Sequence, residues 1–207
     1  MTVKATENLD ALGRSFQAAL ARGAWDEALR LADRLLTLLP DHASLHYNRG
    51  LILKMLDRRA ESIAAFEAAL GHDETHANAR FELASALLDS GDPARAAELF
   101  AAYLEAVPGD ADAELNLGNA LLRLGEAEDA RAHLRAAHAA NPSPLAIQSL
   151  ATAERDCGDL AACRALLATL ADDPQAAAAR MKILTQGAKG SLRLDAARFI
   201  QIDALAH

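Results

Sequence analysis

The sequence predicts an all-α chain, a solenoid of antiparallel helix pairs, and three observations carry that prediction. A pattern of apolar, small and turn-forming residues recurs every 34 positions. At that period each unit is a helical hairpin too small to bury its own apolar face, so it must stack on the next. Valine occurs only at Val3 and Val107, aromatic residues make up 4% of the chain, and alanine is abundant, a balance that disfavours strands and suits close helix packing. Hydrophobic residues form 52% and charged residues 24% of the 207 positions, enough apolar surface to build a core.

Windows on this period start at Leu9, Ala43, Ala77 and Ala111, with a slightly short fifth near Pro144. The expected organisation is an N-terminal arm (1–8), repeats at 9–42, 43–76, 77–110, 111–143 and 144–175, and a degenerate sixth hairpin or cap at 176–207, in one continuous solenoid domain. The first helix of each window carries Arg49-Gly50, Leu83-Ala84, Leu117-Gly118 and Leu150-Ala151, where the first window has Ser15-Phe16. It ends at Gly23, Asp57, Gly91, Gly125 and Gly158, residues that tolerate the left-handed conformation closing a helix. The second helix has a residue pair four apart on one face: Ala28 and Ala32, Ser62 and Phe66, Ala96 and Phe100, Ala130 and Leu134, Cys163 and Leu167. Leu35, Ala69, Tyr103, Ala137 and Leu170 extend that stripe, and Pro40, Glu74, Pro108, Pro142 and Pro174 close each window. A proline just past a helix cannot continue it. The remainder reads as a helix stopping at Gly187 or Gly190, then a helix with Leu192, Phe199, Ile202 and Leu205 or Ala206 on one side.

These columns resemble the tetratricopeptide repeat signature over residues 9–175, with departures at Asp57, Glu74 and the short fifth window. The resemblance implies a right-handed superhelical α-solenoid whose first helices line a concave groove for another polypeptide. Carried over column by column, the implied groove holds Arg14 and Gln17, then Ser44, Tyr47, Asn48 and Leu51, then Asn78, Phe81, Glu82 and Ser85. It continues with Asp112, Leu115, Asn116, Asn119 and Arg123, and ends on Gln148, Ser149, Thr152 and Arg155. Asn48 and Asn116 share a column, and amides both donate to and accept from the backbone of an extended peptide. The same column suits asparagine simply as a wet helix face. Tyr47, Phe81 and Leu115 form an apolar strip, serving either as anchors for a partner or as packing between neighbouring first helices. The variant of the family that clamps a terminal carboxylate with cations is not matched, because its columns hold Gly13, Gln17, Asn48, Asn78 and Glu82.

The formal charge of −8, with lysine only at positions 4, 54, 182 and 189, argues against nucleic acid as partner. The opening MTVKATENLD lacks the apolar stretch of a signal peptide and no segment approaches a membrane span. The expected location is the cytoplasm, with no membrane partner. Cys157 and Cys163 read as small core residues. His42 with His46, and His72 with His76, are spaced four apart as metal-binding pairs on a helix can be, but both straddle the closing column, so no metal is predicted. The run from Gly187 through Lys189 to Ser191 lacks the strand and glycine spacing of a phosphate loop and reads as a turn. No catalytic residue and no cofactor are predicted. The expected function is that of a non-enzymatic scaffold or adaptor binding a peptide segment or partner helix. The alternative is a targeting or oligomerisation region of a larger enzyme or assembly, with self-association through the C-terminal hairpin also open.

Overall fold

A computed structural model describes the chain over residues 3–171 and 173–185. Eleven helices are found among these residues: α1 (Val3–Ala21), α2 (Trp25–Leu38), α3 (Ala43–Met55), α4 (Arg59–His72), α5 (Ala77–Ser90), α6 (Pro93–Ala106), α7 (Ala111–Leu124), α8 (Ala127–Ala140), α9 (Pro144–Asp156), α10 (Leu160–Ala168) and α11 (Ala177–Thr185). They fall into two compact units that divide between Pro108 and Gly109. In the first, the antiparallel pairs α1/α2, α3/α4 and α5/α6 pack internally, and α2 and α4 pack on the helices that follow them. The second contains the pairs α7/α8 and α9/α10, with α8 packed on α9 and α11 on α9.

The turn column produces the hairpins. Gly23, Gly91, Gly125 and Gly158 all have positive φ, and Asp57 takes the same left-handed conformation at φ 55°. Aspartate tolerates it better than most residues with a Cβ, at some cost. Asp57→Gly is expected to stabilise the first unit by about 0.5–1 kcal/mol, the left-handed penalty less the extra chain entropy of glycine, read as a raised Tm. The starts of later helices are fixed by side chains that accept exposed backbone N–H groups. Asp92 accepts from Arg95, Asp110 from Asp112 and Ala113, Ser143 from Ala146, and Asp159 from Ala162.

The small column lets paired helices approach closely. A Cβ added at Gly50 would lie 2.5 Å from Cε1 of Phe66, and one at Gly118 would collide with Leu134. At the first crossing the buried Ser62 hydroxyl also donates to the Gly50 carbonyl, at 2.9 Å. The first hairpin reverses the arrangement, with buried Phe16 on α1 and Ala28 and Ala32 on α2. That exchange of bulk accounts for the departure in the first window. Helix α1 reaches back to Val3, into the segment the sequence sets apart as an arm, since no glycine or proline interrupts residues 3–9. Helix α10 has 9 residues where α2, α4, α6 and α8 have 14, as the short fifth window requires. The expected helix over 191–207 lies outside the described residues, as do Gly187 and Gly190.

Candidate functional site

In the first unit the residues assigned to the groove sit on α1, α3 and α5. Arg14, Gln17, Ser44 and Asn78 are exposed, and Tyr47, Asn48, Leu51, Phe81, Glu82 and Ser85 are half-buried. Three of the predicted positions, Arg14, Gln17 and Asn48, converge with Ser44 on a cleft of about 630 Å³ between α1, the end of α2 and α3. Its floor is apolar, supplied by Leu9, Phe16, Leu35, Leu39 and Leu45, and Asp10 and His42 complete the rim. A concave, mostly apolar site with a few polar groups at its edge is suited to taking an apolar side chain while pairing the polypeptide that carries it. The floor was not among the residues picked from sequence, because Leu35 and Leu45 carry the same periodic signal as fully enclosed core leucines.

The other first-unit candidates engage their own neighbours. The Tyr47 ring lies 6.0 Å from Phe66 and 4.9 Å from His76, and the Phe81 ring lies 5.5 Å from Phe100 and 5.3 Å from Tyr103. The apolar column thus packs partly between helices and keeps only part of its surface outward. Burial raises the Tyr47 hydroxyl above its usual pKa, and the Glu82 carboxylate adds to that effect. Glu82 in turn receives Lys54 Nζ at 2.7 Å, an ion pair between α3 and α5.

In the second unit, α7 and α9 carry the remaining candidates. Asp112 and Arg123 are exposed, Asn116, Asn119, Gln148, Thr152 and Arg155 are half-buried, and Leu115 and Ser149 are buried. Among the described residues, the amides of Asn48, Asn116 and Asn119 make no hydrogen bond within the chain. Thr152 donates to the Gln148 carbonyl at 2.8 Å. Arg155 is committed to Asp156 at 2.7 Å and to the Ile183 carbonyl at 3.2 Å, so it ties α11 to α9.

Two features escaped the residue selection. Glu154 on α9 is 2% exposed and receives Arg135 Nε and Nη2 of α8 at 2.9 and 2.6 Å, with Arg131 Nη1 3.7 Å from its other oxygen. Around His46 and His72, the rings stack at 5.0 Å between centroids, a pairing across the hairpin and not the spacing of four noted along the chain. Among the described residues no three His, Cys, Asp or Glu side chains gather where they would hold a metal ion. Cys157 and Cys163 are free thiols, Cys163 buried. Burial raises both thiol pKa values, and for Cys157 a hydrogen bond with Glu128 adds to the rise. Neither is poised as a nucleophile.

Repeated helical hairpins closed by left-handed turns, with small residues at each crossing and a cleft between first helices, define a helical-repeat protein. A family model described as tetratricopeptide repeat matches residues 14–79, 55–111 and 81–144, and the chain belongs to the tetratricopeptide repeat family. No curated protein sequence matches it. Among solved structures it is similar to MamA (41-end) from Desulfovibrio magneticus RS-1, with TM-score 0.75, 20% identity, 82% of this chain and 96% of that chain covered. YrrB, a tetratricopeptide protein with an unusual peptide-binding site, gives TM-score 0.74 at 17% identity, covering 81% of this chain and 87% of that one. PilW, a widely conserved type IV pilus biogenesis factor, gives 0.67 at 21% identity, with 87% and 84% covered. At such identities the likeness shows a shared fold. Among the described residues, no helix is long and apolar enough to cross a membrane.

Proposed function

We propose that this chain is a non-enzymatic scaffold or adaptor, acting in the cytoplasm, that binds a segment of another protein along the faces of its first helices. Its repeats run over 9–175. The observation that carries the reading is the cleft between α1 and α3, apolar below and edged by Arg14, Gln17 and Asn48. In each unit one such amide, Asn48 on α3 and Asn116 on α7, has no hydrogen-bond partner among the described residues and would pair with the backbone of a segment lying on its own helix. Peptide-display selection on the purified chain supplies a ligand, and Asn48→Ala with Asn116→Ala tests the site. A drop of about tenfold or more in affinity is expected, since each lost hydrogen bond is worth about 0.5–1.5 kcal/mol. Unchanged binding by the double variant would remove these amides from the account.

The second reading is self-association through the C-terminal hairpin, favoured by Met181 and Leu184, each 49% exposed on α11. A monomer mass by light scattering at high concentration counts against it.

A further inference from the structure

We infer that the cleft between α1 and α3 takes an aromatic side chain, phenylalanine or tyrosine, from the bound segment, and that Gly13 is the residue that leaves room for it. The inference rests on the reading of this face as a binding surface and adds the chemistry of what enters it. Gly13 stands 34 positions before Tyr47, and Tyr47 as many before Phe81, so the three share the column whose rings pack inside the first unit. Tyr47 meets Phe66 and His76 at 6.0 and 4.9 Å between ring centroids, and Phe81 meets Phe100 and Tyr103 at 5.5 and 5.3 Å. The surroundings of such a ring persist in the first repeat. Leu35 stands in the column of Tyr103 and His42 in that of His76, and buried Phe16 brings from α1 the ring that Phe66 and Phe100 bring from α4 and α6. Gly13, Phe16, Leu35 and His42 all line the cleft. The first repeat thus keeps the setting of the column's ring and has glycine where the ring would be.

Packing within the described residues does not require glycine at this position. A Cβ added at Gly13 would meet no atom within 4 Å, whereas at Gly50 and Gly118 it would collide with Phe66 and Leu134. Inside a helix of 19 residues glycine is less favourable than alanine, and a ligand ring approaching the bare backbone accounts for its presence. His42 is available to the same ligand. It is the N-cap of α3, yet its side chain accepts no backbone N–H, while His76 at the start of α5 accepts that of Ala79. An imidazole on the rim gives an entering ring the contact that His76 gives Tyr47. Charge narrows the segment further. Asp10 and Arg14, about one turn apart on α1, are exposed at the rim and form no ion pair among the described residues. An occupant complementary to both carries a carboxylate and a cation on either side of its aromatic residue. The volume of about 630 Å³ suits a ring together with the backbone that carries it.

The test is an NMR titration of the full chain with tripeptide amides in which phenylalanine, leucine or alanine stands between lysine and glutamate, in both orders. The phenylalanine peptides are expected to shift the Gly13 amide and the His42 ring, the leucine peptides to bind about threefold more weakly or worse, and the alanine peptides to leave both signals in place. Gly13→Phe restores the column's ring from within the chain, so it is expected to raise Tm and to weaken the phenylalanine peptides about tenfold or more. Should that variant fold poorly, Gly13→Leu, the residue type of Leu115 in this column, makes the same test. Equal binding of the leucine peptides, unchanged binding in the variant, or no shift with any peptide would overturn the inference. So would Gly13 and His42 signals that move on concentrating the chain alone, or that show contacts to a distant part of the chain, since the cleft would then belong to a second copy or to the chain itself. A display-selected ligand that binds wild type and Gly13→Phe equally leaves the scaffold reading standing and overturns only the aromatic occupant.

Discussion

Phe66→Ala is expected to destabilise the first unit by about 3–5 kcal/mol, and Gly50→Ala to cost about 1–3 kcal/mol. The pair of changes together is expected to cost about 1–3 kcal/mol less than the sum of the two. Phe66 is 0% exposed at the crossing of α3 and α4, and its removal leaves a cavity that the helices can only partly close. Gly50 is small because Phe66 is large. An added methyl would meet Cδ1 of that ring at 2.6 Å, and Cε1 more closely still, so overpacking dominates the single glycine variant. Once the ring is gone, the same methyl enters the space it left. Urea unfolding of the four proteins closes the cycle. Strict additivity would show that Gly50 is required by something other than Phe66, for instance by the Ser62 bond to its carbonyl.

The same crossing explains why so much of the fold was legible in the sequence. A 34-residue period survives only where each hairpin repeats one steric solution, and the Gly50 and Gly118 column, the Phe66, Phe100 and Leu134 column and the left-handed turns are that solution. The site follows other rules. Whether Leu35 and Leu45 floor an open cleft or lie enclosed depends on the space left between α1 and α3, which the period does not specify. Tyr47 and Phe81 occupy one column and each meets the ring of the Phe66 and Phe100 column, yet their second ring partners differ, His76 for one and Tyr103 for the other. Those partners come from the following helices, where the sequence varies. The pairing of His46 with His72 was likewise hidden, because these residues are 26 positions apart, a separation belonging to neither the helix period nor the repeat.

Glu154 was legible in principle. It stands in the column that holds Leu53, Leu87 and Leu121 in the preceding repeats, all of them buried. A carboxylate in a leucine column is either exposed by a local change or buried with a cation. Here Arg135 supplies the cation through two bonds to one oxygen. The two partners are unequal, for Arg135 keeps 56% of its side chain in solvent while Glu154 keeps 3%. Nearly all of the desolvation therefore falls on the carboxylate. Arg135→Met is expected to cost about 3 kcal/mol, because it strands a buried charge with only the more distant Arg131. Glu154→Leu restores the residue type of the column and leaves an arginine free to hydrate, so its cost is expected to be about 1 kcal/mol or less. The double variant is expected to fall close to Glu154→Leu alone. Denaturant unfolding of the three variants checks the order, and a Glu154→Leu change more damaging than Arg135→Met would mean that the carboxylate itself organises α8 against α9.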